Sequence, residues 1–198
     1  MPIYRHKNNF VFHIHVPKTG GTAITDACLS QGCKIEIFNK KPDPVHKVTP
    51  QHFHYAIWKN MVMEPIPKIV GWRDPWQRTV SEFVWQTRTK DFNKLNDWLK
   101  KCLSIYQENS SWGDNHFRPQ TEFFVPNETV HMMTYEKSMQ TAKQLIKKFL
   151  DIDIEFKTTP QKRLDYTLPS IDDVLKLEVK QMWQTIYQKD IEYSSKVI

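Results

Sequence analysis

Apolar positions along the chain switch between strand-like and helix-like spacing several times. Phe10 to Val16 (FVFHIHV) is a β-branched and aromatic run stopped by Pro17, which predicts a buried strand. A glycine pair follows, and Thr22 to Leu29 then has the composition of a helix, with Thr22 as its N-cap. Lys34 to Phe38 alternates as a second strand, the proline-bearing stretch Asn39 to Pro50 must be a loop, and Gln51 to Met61 reads as a short helix. Lys68 to Trp72 (KIVGW) is a third apolar strand. It is cut off by Arg73-Asp74-Pro75, where Asp74 can cap a helix that carries Pro75 at its first position and runs to about Thr87.

Further on, Phe92, Leu95, Trp98, Leu99 and Leu103 recur at helical spacing within Asp91 to Tyr106, and Ser110 to Asn115 is a polar loop. Glu122 to Val125 and Val130 to Thr134 are expected as short strands around a turn at Pro126-Asn127. Ser138 to Leu150 and Ile171 to Glu192 close the chain as helices, separated by the polar segment Lys157 to Asp165. Strands alternating with helices predict an α/β fold in which a central parallel sheet is covered by helices and ligands bind at the carboxyl ends of the strands. At 198 residues and 39% hydrophobic content, a single domain spanning 1–198 is expected.

The formal charge of +6 favours an anionic ligand over a cationic one, with no nucleic-acid partner implied by so small an excess. No run of about twenty apolar residues occurs, and the first ten residues lack the features of a secretory signal. The expectation is a soluble, cytoplasmic protein without a membrane anchor. Cys28, Cys33 and Cys102 form no CxxC pair and are expected to be buried, reduced thiols. Eight histidines raise the question of a metal, but His52 and His54 have no further ligands nearby at metal-site spacing, so no metal is expected.

The chemistry is concentrated in Pro17-Lys18-Thr19-Gly20-Gly21-Thr22. A loop between a strand and a helix N-terminus offers unpaired backbone N–H groups and the positive end of the helix dipole to a phosphate or sulfate. The two glycines allow close approach, Lys18 adds charge, and Thr19 and Thr22 add hydroxyls. Lysine precedes both glycines, so the loop is not a Walker A sequence, where lysine follows the last one. Arg73 at the end of the KIVGW strand and Ser81 two turns into the next helix make a second anion site on a neighbouring strand end.

HVPKTGGT with RDPWQRTVSEF resembles the paired donor-binding signatures of carbohydrate sulfotransferases that use 3′-phosphoadenosine-5′-phosphosulfate (PAPS). Asn115 to Phe124 resembles the HxxPQ segment of the chondroitin and HNK-1 branch, Thr134-Tyr135-Glu136 its following YE, and Tyr187 to Ile191 its terminal YxxD element. The pieces keep the family's order from about residue 10 to residue 193. The resemblance implies a P-loop-like fold of the sulfotransferase and nucleotide-kinase kind. It also implies that Lys18, Thr19, Gly20, Gly21 and Thr22, flanked by Pro17 and Ala23, hold the 5′-phosphosulfate. Arg73 and Ser81 would bind the 3′-phosphate. Thr158 to Arg163 (TTPQKR) would close the nucleotide site through Lys162 and Arg163, and Trp76 is a candidate for packing near adenine, set against a place in the core.

Sulfuryl transfer to an alcohol needs in-line attack, a base, and positive charge at the leaving phosphate oxygen. Lys18 suits the last role, and no metal is obligatory. Gln51-His52-Phe53-His54-Tyr55 resembles the HxH element of heparan sulfate 2-O-sulfotransferases, whose second histidine is the base. His54 is therefore the first candidate, His52 the second, and Glu64 and Glu82 more distant ones; His116 is a candidate for touching the acceptor, and His13 and His15 are expected to be structural. The expected acceptor is a hydroxyl of a carbohydrate or related molecule, leaving 3′,5′-adenosine bisphosphate. One or two of Trp72, Trp76, Trp85, Trp98 and Trp112 are candidates for stacking on a sugar. Lys94, Lys100 and Lys101 could steer an acidic glycan but read better as a solvated helix face. The chain is shorter than the Golgi enzymes and lacks their anchor, which suits an enzyme of bacterial or viral type. The alternatives are a nucleotide-dependent phosphotransferase and a non-catalytic nucleotide- or glycan-binding module.

Overall fold

A two-residue turn at Lys7 and Asn8 folds the start of the chain back on itself. Strand β1 (Ile3–His6) pairs antiparallel with β2 (Asn9–Ile14), Ile3 opposite Phe12 and His6 opposite Asn9, because so short a link cannot make a parallel crossover. The computed structural model describes residues 1–37, 39–62, 65–125, 130–134, 138–156 and 166–197. In it β3 (Lys34–Glu36) lies antiparallel on the outer side of β1, whereas β4 (Lys68–Trp72) runs parallel to β2 and β5 (Val130–Thr134) parallel to β4. The five-stranded sheet has the order β3-β1-β2-β4-β5.

The fold is α/β as expected, but the sheet is mixed rather than parallel. The departure comes from Ile3–His6, whose four residues carry too short a pattern to stand out as a strand, and from Lys34–Glu36, which pairs with that strand instead of joining the parallel half.

Alternation along the strands sends Tyr4, Val11, Ile69 and Met133 to one face, where α1 (Gly21–Ser30) and α5 (Ser138–Leu150) cover them with Ile24, Cys28, Ile146 and Leu150. Phe12, Ile14, Val70 and Trp72 face the other side and pack against Phe53, Trp58, Phe123 and Phe124. A third core joins α3 (Pro75–Thr87), α4 (Leu95–Glu108) and α7 (Leu177–Val197) through Val80, Phe83, Leu99, Leu103, Val179 and Trp183. Fully burying each such side chain contributes about 1.5–3 kcal/mol. Cys28, Cys33 and Cys102 are free and buried, as expected.

Several boundaries differ from expectation. Gln51 to Met61 is broken into a 3-10 turn at Pro50–His52 and a one-turn helix α2 (Tyr55–Trp58), because Phe53 and His54 are extended between them. Glu122 to Val125 is not a strand: Gln120–Glu122 is a 3-10 turn. The last helical region divides into α6 (Ile171–Val174) and α7, with Leu175 extended after α6. Lys94 and Lys100 pair on the surface with Asp91 at 3.3 Å and Glu178 at 3.0 Å, the solvated-face reading. No described helix is long and apolar enough to cross a membrane.

Candidate functional site

The parallel half of the sheet ends β2 at Ile14 and β4 at Trp72 side by side, and the site grows from those two ends. After β2 the chain turns into α1 through Gly20, whose φ of 94° makes it the N-cap in the left-handed region that glycine tolerates best. Thr22, expected as the cap, lies inside the first turn, which holds no acidic residue and no side-chain cap bond. The first N–H groups of α1 and its positive dipole end therefore face outward without a competing carboxylate. Gly21 is required by sterics: a Cβ there would fall 2.2 Å from Cδ2 of His15.

Within the loop, Lys18 adopts a left-handed φ of 68° and its Nζ sits 4.8 Å over the ring of Trp85. Thr19 is turned inward, 1% exposed, with its hydroxyl donating to the Val16 carbonyl at 2.9 Å. It anchors the loop from below and does not line the cavity, so its expected contact with the donor is not supported.

At the end of β4, Asp74 caps α3 by accepting from the Gln77 N–H at 2.8 Å, as the Asp-Pro pair predicts. Arg73 is buried and donates through Nη1 to the Lys18 carbonyl at 3.3 Å. Arg78 donates to the carbonyls of Pro17 (3.0 Å), Arg118 (2.9 Å) and His116 (2.7 Å), so one guanidinium ties α3 to the loop after β2 and to the segment 116–118. Gln120 holds the Arg73 backbone on both sides, accepting from its N–H at 3.2 Å and donating to its carbonyl at 2.7 Å. Asp190 in turn accepts from the N–H groups of Gln120 (2.7 Å) and Thr121 (2.9 Å), and the Tyr187 hydroxyl donates to the Phe117 carbonyl at 2.7 Å. The Pro-Gln and Tyr-x-x-Asp residues thus support the strand end that presents Arg73.

Opposing this polar scaffold is a row of imidazoles. His13 stacks on His15 at 5.3 Å between ring centroids, His15 meets His52 edge-on at 5.0 Å, and His52 meets His116 edge-on at 5.0 Å. His13 is structural as expected, bonded through Nδ1 to the Tyr4 hydroxyl at 2.8 Å. His52 donates from Nδ1 to Asp114 Oδ2 at 2.7 Å, and His116 Nδ1 pairs with Glu82 Oε2 at 2.8 Å. Burial lowers the His52 pKa, outweighing the raising effect of its Asp114 bond, and so keeps the ring neutral at neutral pH with Nε2 as its acceptor. Burial pushes the Glu82 carboxyl up, but the His116 bond and the charges of His116 and Lys18 more than offset it and hold Glu82 ionised. Asp114 is presented by three consecutive left-handed residues, Gly113 (φ 65°), Asp114 (57°) and Asn115 (63°), a strained turn of the kind that persists where surrounding contacts hold it. Those contacts include Asp114 accepting from the Thr49 N–H and hydroxyl and Asn115 donating to the His52 carbonyl at 2.9 Å.

These elements enclose a cavity of about 610 Å³, within the range of small-molecule sites. Of the residues singled out from sequence, Pro17, Lys18, Gly20, Gly21, Thr22, Ala23, Arg73, Ser81, His52 and His116 line it. His54 does not. Its backbone carbonyl starts α2, its ring is half-buried, and burial with the nearby Arg118 charge lowers its pKa to about 4. The histidine brought to the cavity is the first of the HxH pair, not the second. Trp76 is core, donating to the Pro169 carbonyl at 2.8 Å, and Trp85 is the tryptophan at the cavity. His15, expected to be structural, also lines the cavity, as does Trp85, one of the tryptophans named for sugar stacking, and Arg88, Lys90, Asp114 and Tyr166 join the lining without having been singled out from the sequence. Lys162, Arg163, Glu64 and the Tyr135-Glu136 pair lie outside the described residues.

No family model, no curated protein and no solved structure matches this chain.

Proposed function

We propose that this protein is a sulfotransferase, moving the sulfuryl group of PAPS to a hydroxyl of a carbohydrate or related acceptor on a P-loop-like strand-loop-helix. The observation that carries this reading is that one cavity collects two separate anion sites and a neutral, carboxylate-oriented imidazole: Lys18 with the α1 N-terminus, Arg73 with Ser81, and His52 with Asp114. A donor with a 5′-phosphosulfate and a 3′-phosphate needs two such sites, and an alcohol acceptor needs the base.

In this mechanism the first turn of α1 and Lys18 hold the 5′-phosphosulfate, and Arg73 and Ser81 hold the 3′-phosphate. His52 Nε2 takes the acceptor hydroxyl proton as that oxygen attacks sulfur, and the Nδ1–H bond to Asp114 stabilises the imidazolium that forms. The bond from sulfur to the bridging oxygen breaks on the opposite side. Its electron pair stays on the phosphate of 3′,5′-adenosine bisphosphate, where Lys18 and the helix dipole meet the new charge. Lys18 leaves the face of Trp85 to follow that oxygen.

Calorimetry with 3′,5′-adenosine bisphosphate in the absence of magnesium tests the donor assignment, and mass spectrometry of glycans and small alcohols incubated with PAPS tests the transfer. Saturable nucleotide binding and an acceptor gaining one sulfuryl group are expected. Preferential binding of ATP with magnesium would overturn the reading in favour of a phosphotransferase.

A further inference from the structure

We propose that His52, Asp114 and His116 form a binding site for a divalent transition-metal cation of the zinc type in the wall of the same cavity. One potential ligand atom from each of the three lies within 4.8 Å of the other two, and all three residues line the cavity. Zinc–nitrogen bonds of about 2.0–2.1 Å require the cluster to close by roughly an ångström, a movement within reach of side-chain rotation.

The second observation is how the rings are held. His116 has Nδ1 tied to a carboxylate outside the cluster, Glu82 at 2.8 Å, whereas the His52 Nδ1 bond of 2.7 Å runs to Asp114, itself one of the three ligands. Metal-ligating histidines are oriented as His116 is, with one nitrogen bonded to an outer carboxylate and the other lone pair directed at the ion, and on His52 the ion takes the place of the Nδ1 proton beside Asp114. His15, whose ring centroid is 5.0 Å from that of His52, is a third imidazole on the cavity, itself buried, and its Nδ1 has no hydrogen-bond partner. Two nitrogens and one carboxylate oxygen select a borderline cation such as Zn²⁺ over Mg²⁺ or Ca²⁺, which take oxygen ligands. The remaining coordination position opens on the cavity.

Binding of the cation stands apart from the sulfotransferase reading, but its consequence rests on that reading. A cation that replaces the Nδ1 proton of His52 leaves the ring's remaining proton on Nε2, which then cannot take the acceptor's proton, so zinc acts as a reversible inhibitor.

The chain, freed of any affinity tag and dialysed against chelator, is titrated with ZnCl₂ in a calorimeter and with Co²⁺ followed by its visible absorption. One equivalent is expected. His116→Ala and the milder His116→Gln weaken zinc binding about tenfold or more, and Glu82→Gln weakens it by a similar factor through the lost outer bond. His46→Ala leaves it unchanged, and unchanged circular dichroism certifies the fold of each variant. Absence of saturable zinc binding, or binding indifferent to both His116 substitutions, overturns the site. Zinc binding without any sulfate transfer keeps the site and removes the sulfotransferase reading. Transfer that zinc leaves untouched, despite one bound equivalent, overturns the inhibitory role.

Discussion

The two sides of the cavity are built by different means. The anion side is local: a six-residue loop, the first turn of the helix that follows it, and one arginine from the neighbouring strand end. Its working groups are backbone N–H donors and permanent cations, which keep their charge at any physiological pH. The imidazole side is assembled from four places, the end of β2, the turn before α2, the third turn of α3 and the strained loop before Gln120. Its working groups are imidazoles whose usefulness depends on which nitrogen holds the proton. Binding chemistry can be written into a contiguous peptide. Proton chemistry here depends on partners 62 and 34 residues away, Asp114 for His52 and Glu82 for His116.

The largest effect expected is the loss of the base. His52→Ala lowers kcat for sulfate transfer about 10²–10⁴-fold while leaving the affinity for 3′,5′-adenosine bisphosphate within a small factor, whereas His54→Ala retains most of the activity. Labelled-sulfate transfer and nucleotide calorimetry on both variants decide this. If His54→Ala is the inactive one, the imidazole side has been drawn around the wrong ring. Lys18→Ala should come next, lowering kcat about 10²–10³-fold because it removes charge where the leaving phosphate oxygen becomes an anion. A variant that loses affinity alone, with kcat intact, would confine Lys18 to binding.

The same division explains what was legible in the sequence. PKTGGT and RDPWQRTVS announce their elements through proline, glycine and Asp-Pro, so the loop, the cap at Asp74 and the placement of Arg73 beside Lys18 followed from spacing. The hairpin that makes the sheet mixed was not legible, because four residues, Ile3–His6, carry too little periodicity. Thr19 looked like a donor contact because hydroxyls suit anions, but its bond to the Val16 carbonyl turns it under the loop. His54 outranked His52 on resemblance, yet the extended backbone between the 3-10 turn and α2 sends the two rings to different places. Asp114 carried one local signal, the run Gly113-Asp114-Asn115, whose residue types tolerate left-handed φ. That run marks a strained turn without saying which histidine it serves.

A smaller effect sharpens the anion side. Arg73→Ala should weaken 3′,5′-adenosine bisphosphate about 10–100-fold, the worth of a hydrogen-bonded ionic contact of about 1.5–3 kcal/mol. Its effect on 5′-AMP, which lacks the 3′-phosphate, should be markedly smaller. Because Arg73 also donates to the Lys18 carbonyl, equal losses for both nucleotides would mean that it acts on the loop and not on the 3′-phosphate.

The smallest effect belongs to the far end of the imidazole row. Burial lowers the His13 pKa from 6.5 to about 3, with the N-terminal charge assisting. Above about pH 6.5 neither the folded nor the unfolded chain protonates this ring, so it has no influence on the pH dependence. Below that value the unfolded chain gains a proton that the folded chain refuses. Stability must therefore fall with decreasing pH, by up to about 1.4 kcal/mol per pH unit for this one group, until the folded ring itself titrates near pH 3. His13→Gln supplies an amide for the Tyr4 hydroxyl in place of the ring and removes the titration. Urea unfolding at about pH 7 and about pH 5 should show a shallower loss in the variant than in the parent. An identical loss in both would assign the acid sensitivity to other groups and leave His13 a packing residue only.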